Sequence, residues 1–314
     1  MNMLDVEQIT IVGTGLLGGS IGLGLRAAGY RGRLIGVGRR AQTLDAAIRR
    51  GCIDEGSLEL EPPLAGGGLV ILATPLGAFG DFLQRLAEAG RPLAAITDVG
   101  STKAGVCDLA RRILGSTLGP RFIGAHPMAG GEMHGPESAR AGLFEHMPCI
   151  LTPPRSADPQ ALALVETLWT TLGMRLVRMS AEDHDRTVAR ISHLPHALAV
   201  TLMRLVAREG GLNIASTGFR DTTRIASGDP QIWRDIFTTN RTAVVEALDQ
   251  FVAELTEFRT ALADDDEPSL SRALRDAKAQ RDAWTGQRKC SADAPTPRDP
   301  ACDNSDTAQG AEPQ

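Results

Sequence analysis

The residues best placed to do chemistry begin with Gly13-Thr14-Gly15-Leu16-Leu17-Gly18, a GxGxxG run that follows an apolar stretch and opens a helical pattern. Glycines there permit a tight turn and let the backbone approach a pyrophosphate, whose charge then lies at a helix N-terminus. Alone the pattern is weak. Placed between a strand and a helix it points to a dinucleotide, so Gly13, Thr14, Gly15, Leu16, Leu17 and Gly18 are expected cofactor contacts. An NAD site usually offers an acidic residue about 20 positions further on, for the ribose 2′-hydroxyl. This chain reads Gly38-Arg39-Arg40 instead. Two guanidinium groups without a neighbouring carboxylate suit a 2′-phosphate, which favours NADP over NAD; the bland alternative is a pair of solvated arginines.

Three further runs end strand-like segments: Ala73-Thr74-Pro75, Asp98-Val99-Gly100-Ser101-Thr102-Lys103 and His126-Pro127-Met128-Ala129-Gly130. Carboxyl ends of parallel strands are where α/β domains hold ligands. Thr74 and Pro75 are therefore expected beside the cofactor, with His126 and Ser101 meeting over the nicotinamide, the imidazole as base and the hydroxyl orienting it. A histidine before proline also serves structurally, and Ser101 could instead cap a helix beginning at Thr102.

The second half carries Ser192-His193-Leu194-Pro195-His196, then residues 218–226 with Asp221 and Arg224, then Asp229-Pro230 and Trp233. On a helix His193 and His196 share a face that Pro195 would kink. No HExxH or cysteine cluster accompanies them, so zinc is a poor reading and no metal is expected. At least one of these histidines is read as bonding a substrate. An arginine framed by an aspartate three positions earlier suits capture of a carboxylate.

Alternating elements must position these groups. Strands are expected at residues 9–13, 33–37, 69–73, 94–98, 122–125, 148–152 and 174–177, with helices at 16–28, 41–50, 76–88 and 103–114 between the earlier ones. That order implies right-handed βαβ units and a parallel sheet covered on both faces. After about residue 180 the pattern is helical. Val244, Leu248, Phe251, Leu255, Phe258 and Leu262 recur at helical spacing, Val245 and Val252 widen the stripe, and another helix is expected at 269–284. The fold class is α/β: a Rossmann-type, mostly parallel sheet domain over 1–180, then an all-α domain over 181–284. A wide stripe of this kind suits a homodimer as well as intrachain packing.

Composition limits the partners. Of 314 residues 42% are hydrophobic, enough for an ordinary core, yet residues 285–314 contain no Ile, Leu, Val, Met, Phe, Trp or Tyr and read as a disordered tail. A net charge of −5 argues against non-specific nucleic-acid binding. The five cysteines form no CxxC, the N-terminus carries Asp5 and Glu7 rather than a basic leader, and no apolar run spans a bilayer. A cytoplasmic enzyme acting on a small molecule is expected, with no membrane or nucleic-acid partner.

Taken in order and spacing, GTGLLGGS, ATP, DVGSTK, AHPMAGGE, SHLPH and FRDTTRIASGDPQIW resemble the prephenate/arogenate dehydrogenase family over residues 9–260. The resemblance implies hydride transfer from a ring carbinol to a nicotinamide cofactor with loss of the ring carboxylate, giving 4-hydroxyphenylpyruvate or tyrosine. It implies His126 as catalytic base, Ser101 as its orienting partner and Arg224 as the carboxylate ligand supported by Asp221. His196 and Ser192 become polar pocket residues, and Glu132 and Trp233 line or close the pocket. NAD-dependent relatives have an acidic residue where this chain has Gly38-Arg39-Arg40, which resembles the NADP-using arogenate enzymes. A separate effector domain is not expected. Two competing readings are another two-domain hydroxy-acid dehydrogenase and a dinucleotide-sensing protein without turnover.

Overall fold

A computed structural model describes residues 3–131 and 133–292. In chain order it contains β1 (Gln8–Val12), α1 (Leu16–Ala27), β2 (Arg33–Val37), α2 (Ala41–Arg49), β3 (Glu55–Ser57), α3 (Glu61–Leu64), β4 (Leu69–Leu72), α4 (Phe79–Ala89), β5 (Ala95–Asp98) and α5 (Ala104–Leu118). Then follow β6 (Phe122–Pro127), β7 (Pro148–Thr152), α6 (Pro159–Thr171), β8 (Arg175–Arg178) and α7 (Ala181–Val188). A π-helical turn at Ala189–His193 leads to α8 (Leu194–Glu209), α9 (Thr217–Thr223), α10 (Pro230–Thr239), α11 (Arg241–Ala263) and α12 (Glu267–Ala292).

The sheet order is β3-β2-β1-β4-β5-β6-β7-β8. Pairing is parallel from β3 through β6; β7 runs antiparallel to β6, and β8 parallel to β7. Strand order reverses between β1 and β4, which opens the ligand crevice of such sheets beside the ends of those two strands. β3 falls outside the expected strands because its three residues, Glu-Gly-Ser, carry no apolar signal.

Both sheet faces are covered, as the apolar strands require. On one side Ile9, Ile11, Leu34, Ile71 and Ile123 pack with Ile21 and Leu25 of α1 and with Leu164, Leu168 and Trp169 of α6. On the other, Val12, Val70, Leu72 and Ile96 meet Leu83 and Leu86 of α4 and Ala110 and Leu114 of α5. Each fully buried aliphatic side chain contributes roughly 1.5–3 kcal/mol by leaving water.

Residues through Asp249 form one compact unit and those from Gln250 a second. Near residue 180 the secondary structure changes from alternating strands and helices to helices alone. The Asp185 carboxylate reaches across from α7 to accept the N–H groups of Lys103 and Ala104, at 2.8 and 3.0 Å, capping α5 where no local side chain does.

Two expectations at the C-terminal end change. α12 continues through Ala292 instead of stopping at 284, because residues 285–292 contain no proline to stop it. The remainder of the expected tail, 293–314, lies outside the described residues. The apolar stripe of α11 is only partly covered by the described residues. Val244 and Ala247 are buried with Ala189, while Val245, Val252, Leu255, Phe258 and Leu262 are exposed. Among the described residues no helix is long and apolar enough to cross a membrane.

Candidate active site

The turn after β1 has the backbone that its glycines predict. Gly13 has φ +99°, and a Cβ there would lie 2.5 Å from the Ala73 carbonyl oxygen; a Cβ on Gly18 would lie 1.9 Å from the Gly13 oxygen. The chain can therefore make this turn and bring α1 against it only with glycine at both places. No side chain caps α1, so its first N–H groups remain available to an anion. The buried hydroxyls of Thr14 and Thr74 have no hydrogen-bond partner among the described residues. Free helix donors and two orphaned hydroxyls across the β1/β4 crevice fit a dinucleotide phosphate. At the end of β2, Arg39 and Arg40 are exposed. Neither guanidinium has a partner among the described residues.

From this turn a cavity of about 290 Å³ extends between the strand ends and α10, lined by Gly15, Leu16, Thr74, Pro75, Gly100, Ser101, Asp235 and Ile236 among others. A second, of about 590 Å³, shares Leu16, Gly130, Gly131, Met133, His134 and Ile232 with it and adds Arg140, Arg224 and Trp233. The two form adjoining parts of one depression, with the cofactor turn on one side and a pair of guanidinium groups on the other.

His126 is next to last in β6, half-buried, ahead of the Gly130-Gly131 loop that lines both cavities. Its orienting partner is not Ser101. His126 Nδ1 lies 2.8 Å from His184 Nε2, and His184 Nδ1 lies 2.7 Å from Asp185 Oδ1. A carboxylate only accepts, so His184 donates from Nδ1. Burial holds His184 below its ordinary pKa and hence neutral, which makes its Nε2 an acceptor. His126 must then donate from Nδ1 and keep a lone pair on Nε2. Burial, followed by the neighbouring charges of His184, Lys103 and His193, puts the His126 pKa well below 6.5, so the ring is an unprotonated base at neutral pH. Burial of the Asp185 carboxyl opposes ionisation, but the His184 ring N–H and the N–H groups of Lys103 and Ala104 outweigh it and lower its pKa.

Ser101 does not cap a helix either, since α5 begins at Ala104 and Asp185 supplies the cap. Its place is the wall of the smaller cavity. The loop that carries it is held by Asp98, fully buried in an ion pair with the fully buried Lys103. Asp98 Oδ2 also accepts the Gly100 N–H at 2.7 Å, and Oδ1 accepts the Ala125 N–H at 3.0 Å. One carboxylate thus ties the residue before Ser101 to the residue before His126.

The helical side is assembled around Trp233. Its ring stacks on His196, centroids 3.4 Å apart at 11°, and meets the edge of His193 at 6.1 Å and 87°. His193 closes the π-helical turn ahead of Pro195, and His196 follows it in the first turn of α8. Proline has no N–H and its ring crowds the preceding turn, so a widened turn in place of a simple kink accommodates it. His196 is buried behind Trp233 and Ser192 is half-buried; neither lines the two cavities. Arg224 does line the larger one. Asp221 pairs with Arg220 at 3.3 Å, both exposed, and α9 ends at Thr223, so Asp221 and Arg224 stand in successive helical segments. Glu132 lies outside the described residues.

Sequence reasoning missed His184, Asp185, Asp98 and Lys103 as parts of the site. Asp98 and Lys103 stand within a run already suspected, but His184 and Asp185 carry no signal beyond acidic residues in a helix's first turn. Their link to His126 spans 58 positions.

The chain matches two family models: prephenate dehydrogenase, nucleotide-binding domain, over residues 21–178, and prephenate dehydrogenase, dimerization domain, over residues 180–276. It is 36% identical over 295 residues to the prephenate dehydrogenase of Bacillus subtilis, covering 92% of this chain and 79% of that one. Its fold is similar to the crystal structure of prephenate dehydrogenase from A. aeolicus in complex with hydroxyphenyl propionate and NAD+, with a TM-score of 0.83, 33% identity, and coverage of 89% and 99% of the two chains. It is also similar to Synechocystis arogenate dehydrogenase, with a TM-score of 0.76, 32% identity, and coverage of 88% and 99%.

Proposed function

The chain belongs to the prephenate dehydrogenase family, and from that premise we propose that it catalyses the NADP-dependent oxidative decarboxylation of arogenate, prephenate or both in tyrosine biosynthesis. The observation that carries this reading is the His126-His184-Asp185 chain, which leaves His126 Nε2 as an acceptor near the carboxyl end of β6, ahead of the loop that lines both cavities. A dinucleotide held by the Gly13–Gly18 turn with Thr14 and Thr74 would supply the hydride acceptor for the ring carbinol. His126 takes the hydroxyl proton, and the ring becomes a dienone whose carboxylate is a vinylogous β-keto acid. Loss of carbon dioxide then aromatises the ring, so the protein need only supply a base, orientation and carboxylate recognition. Ser101 is assigned to the substrate hydroxyl from its place on the cavity wall, and Arg224 to a carboxylate. Trp233, backed by His196, forms the wall between. Glu132 and Ser192 remain assigned to the pocket from the family resemblance alone.

NADP is proposed over NAD on the partnerless Arg39 and Arg40 at the end of β2, although the A. aeolicus relative was crystallised with NAD+. Steady-state assays with prephenate or arogenate, each with NADP or NAD, test the whole reading. Reduction in none of the four pairs overturns it. Arg39→Ala is expected to raise the KM for NADP about tenfold or more while leaving NAD kinetics unchanged, since one charge-assisted bond is lost; equal losses with both cofactors would show the 2′-phosphate assignment to be wrong. Arg224→Ala is expected to raise the substrate KM about 10- to 100-fold with a smaller change in kcat. A homodimer through the helical region is proposed on the exposed Val245, Val252, Leu255, Phe258 and Leu262 stripe, with sedimentation as its check.

A further inference from the structure

Asn240 stands between α10 and α11, where its backbone N–H donates to the Ile236 carbonyl and its own carbonyl accepts from Val244. Its side chain is buried. Nδ2 lies 2.8 Å from the main-chain oxygen of Asp185 and 3.2 Å from His193 Nδ1. A main-chain oxygen can only accept, so the amide must present its NH2 group there and cannot be flipped without losing that bond. The second hydrogen of the same NH2 then faces His193. That makes His193 Nδ1 an acceptor. Burial lowers the His193 pKa to about 4, so the ring is neutral and carries its single proton on Nε2.

Asp185 therefore governs two imidazoles in opposite senses. Through its carboxylate and His184 it leaves His126 Nε2 as an acceptor. Through its main-chain carbonyl and Asn240 it leaves His193 Nε2 as a donor. The edge of His193 meets Trp233 on the larger cavity.

We propose that Asn240 is a positioning residue for the reaction, holding His193 in its Nε2–H tautomer and tying the base relay to the Trp233 wall. This rests on the dehydrogenase reading for its effect on turnover, but not for the tautomer. Nitrogen-15 NMR of the histidine-labelled full chain reads the tautomer directly. The expected wild-type spectrum shows His193 with a protonated Nε2 and an unprotonated Nδ1; a protonated Nδ1 overturns the proposal whether or not the enzyme turns over.

Asn240→Asp places an acceptor where the donor stood. It is expected to move the His193 proton to Nδ1 and to lower kcat at least tenfold, with the Kd for NADP unchanged. Asn240→Ala removes the restraint without reversing it, so it is expected to give a mixture of tautomers and an intermediate kcat. Wild-type kcat in Asn240→Asp, alongside an active parent, overturns the proposal and leaves the dehydrogenase reading intact. An inactive parent with the expected tautomer does the reverse. Should Asn240→Asp fail to fold, the wild-type spectrum and Asn240→Ala decide.

Discussion

Replacement of His126 by asparagine is expected to lower kcat about 10²- to 10⁴-fold, the usual contribution of a positioned general base, while the Kd for the dinucleotide stays unchanged. The phosphate turn owes nothing to His126, since its donors come from the start of α1 and from Thr14 and Thr74. A dinucleotide sensor without turnover predicts instead that any cellular role survives this substitution. The wild-type pH profile carries the same assignment. Protonation of His126 removes the acceptor, so kcat/KM falls as pH drops through the His126 pKa, which burial and the neighbouring His184, Lys103 and His193 charges put well below 6.5. Activity should thus be retained at pH 6.5. An acid limb at or above that value, assigned to His126 by its absence in a slow but measurable variant, would rule out the low-pKa base.

The second large effect concerns stability. Asp98→Ala is expected to destabilise the folded chain by about 3–5 kcal/mol in urea unfolding, because it strands the fully buried Lys103 ammonium. It also removes the acceptor for the Gly100 and Ala125 N–H groups. Lys103→Met strands the Asp98 carboxylate in turn, but should cost less, since that carboxylate keeps the Gly100 and Ala125 N–H donors. Equal losses in the two variants would mean that the N–H bonds contribute little and that the ion pair alone holds the two strand ends. Any surviving Asp98→Ala protein should show reduced kcat at permissive temperature, as the loops bearing Ser101 and His126 lose their common anchor.

The comparison of sequence with structure turns on distance along the chain. The GxGxxG turn was legible because strand, glycines and helix are consecutive, and the sterics at Gly13 and Gly18 are local to Ala73 and to the turn itself. The sheet was legible for the same reason, apart from β3, whose three residues lack an apolar pattern. Local reading failed where a side chain had a choice of partners. Ser101 reads equally well as a cap or as an orienter, and the structure gives both tasks to Asp185, directly as the cap and through His184 as the orienter. Asp221 reads as neighbour to Arg224 on one helix, whereas α9 ends between them and the Asp221 carboxylate also meets Arg220.

The sequence by itself determined the α/β order, the dinucleotide turn, the absence of an acidic residue at the end of β2, and the strand ends on which His126 and Ser101 stand. Those properties depend on residue type and short-range spacing, which a chain carries with it unfolded. Only the tertiary structure decided which nitrogen of His126 accepts a proton, because that follows from His184 and Asp185 arriving from α7 into a dry environment. It also decided that His196 lies behind Trp233 and that the α11 stripe is left largely open among the described residues. Tautomers, pKa shifts and uncovered apolar faces are set by which groups are brought together and how much water is removed, and neither exists before the chain has folded.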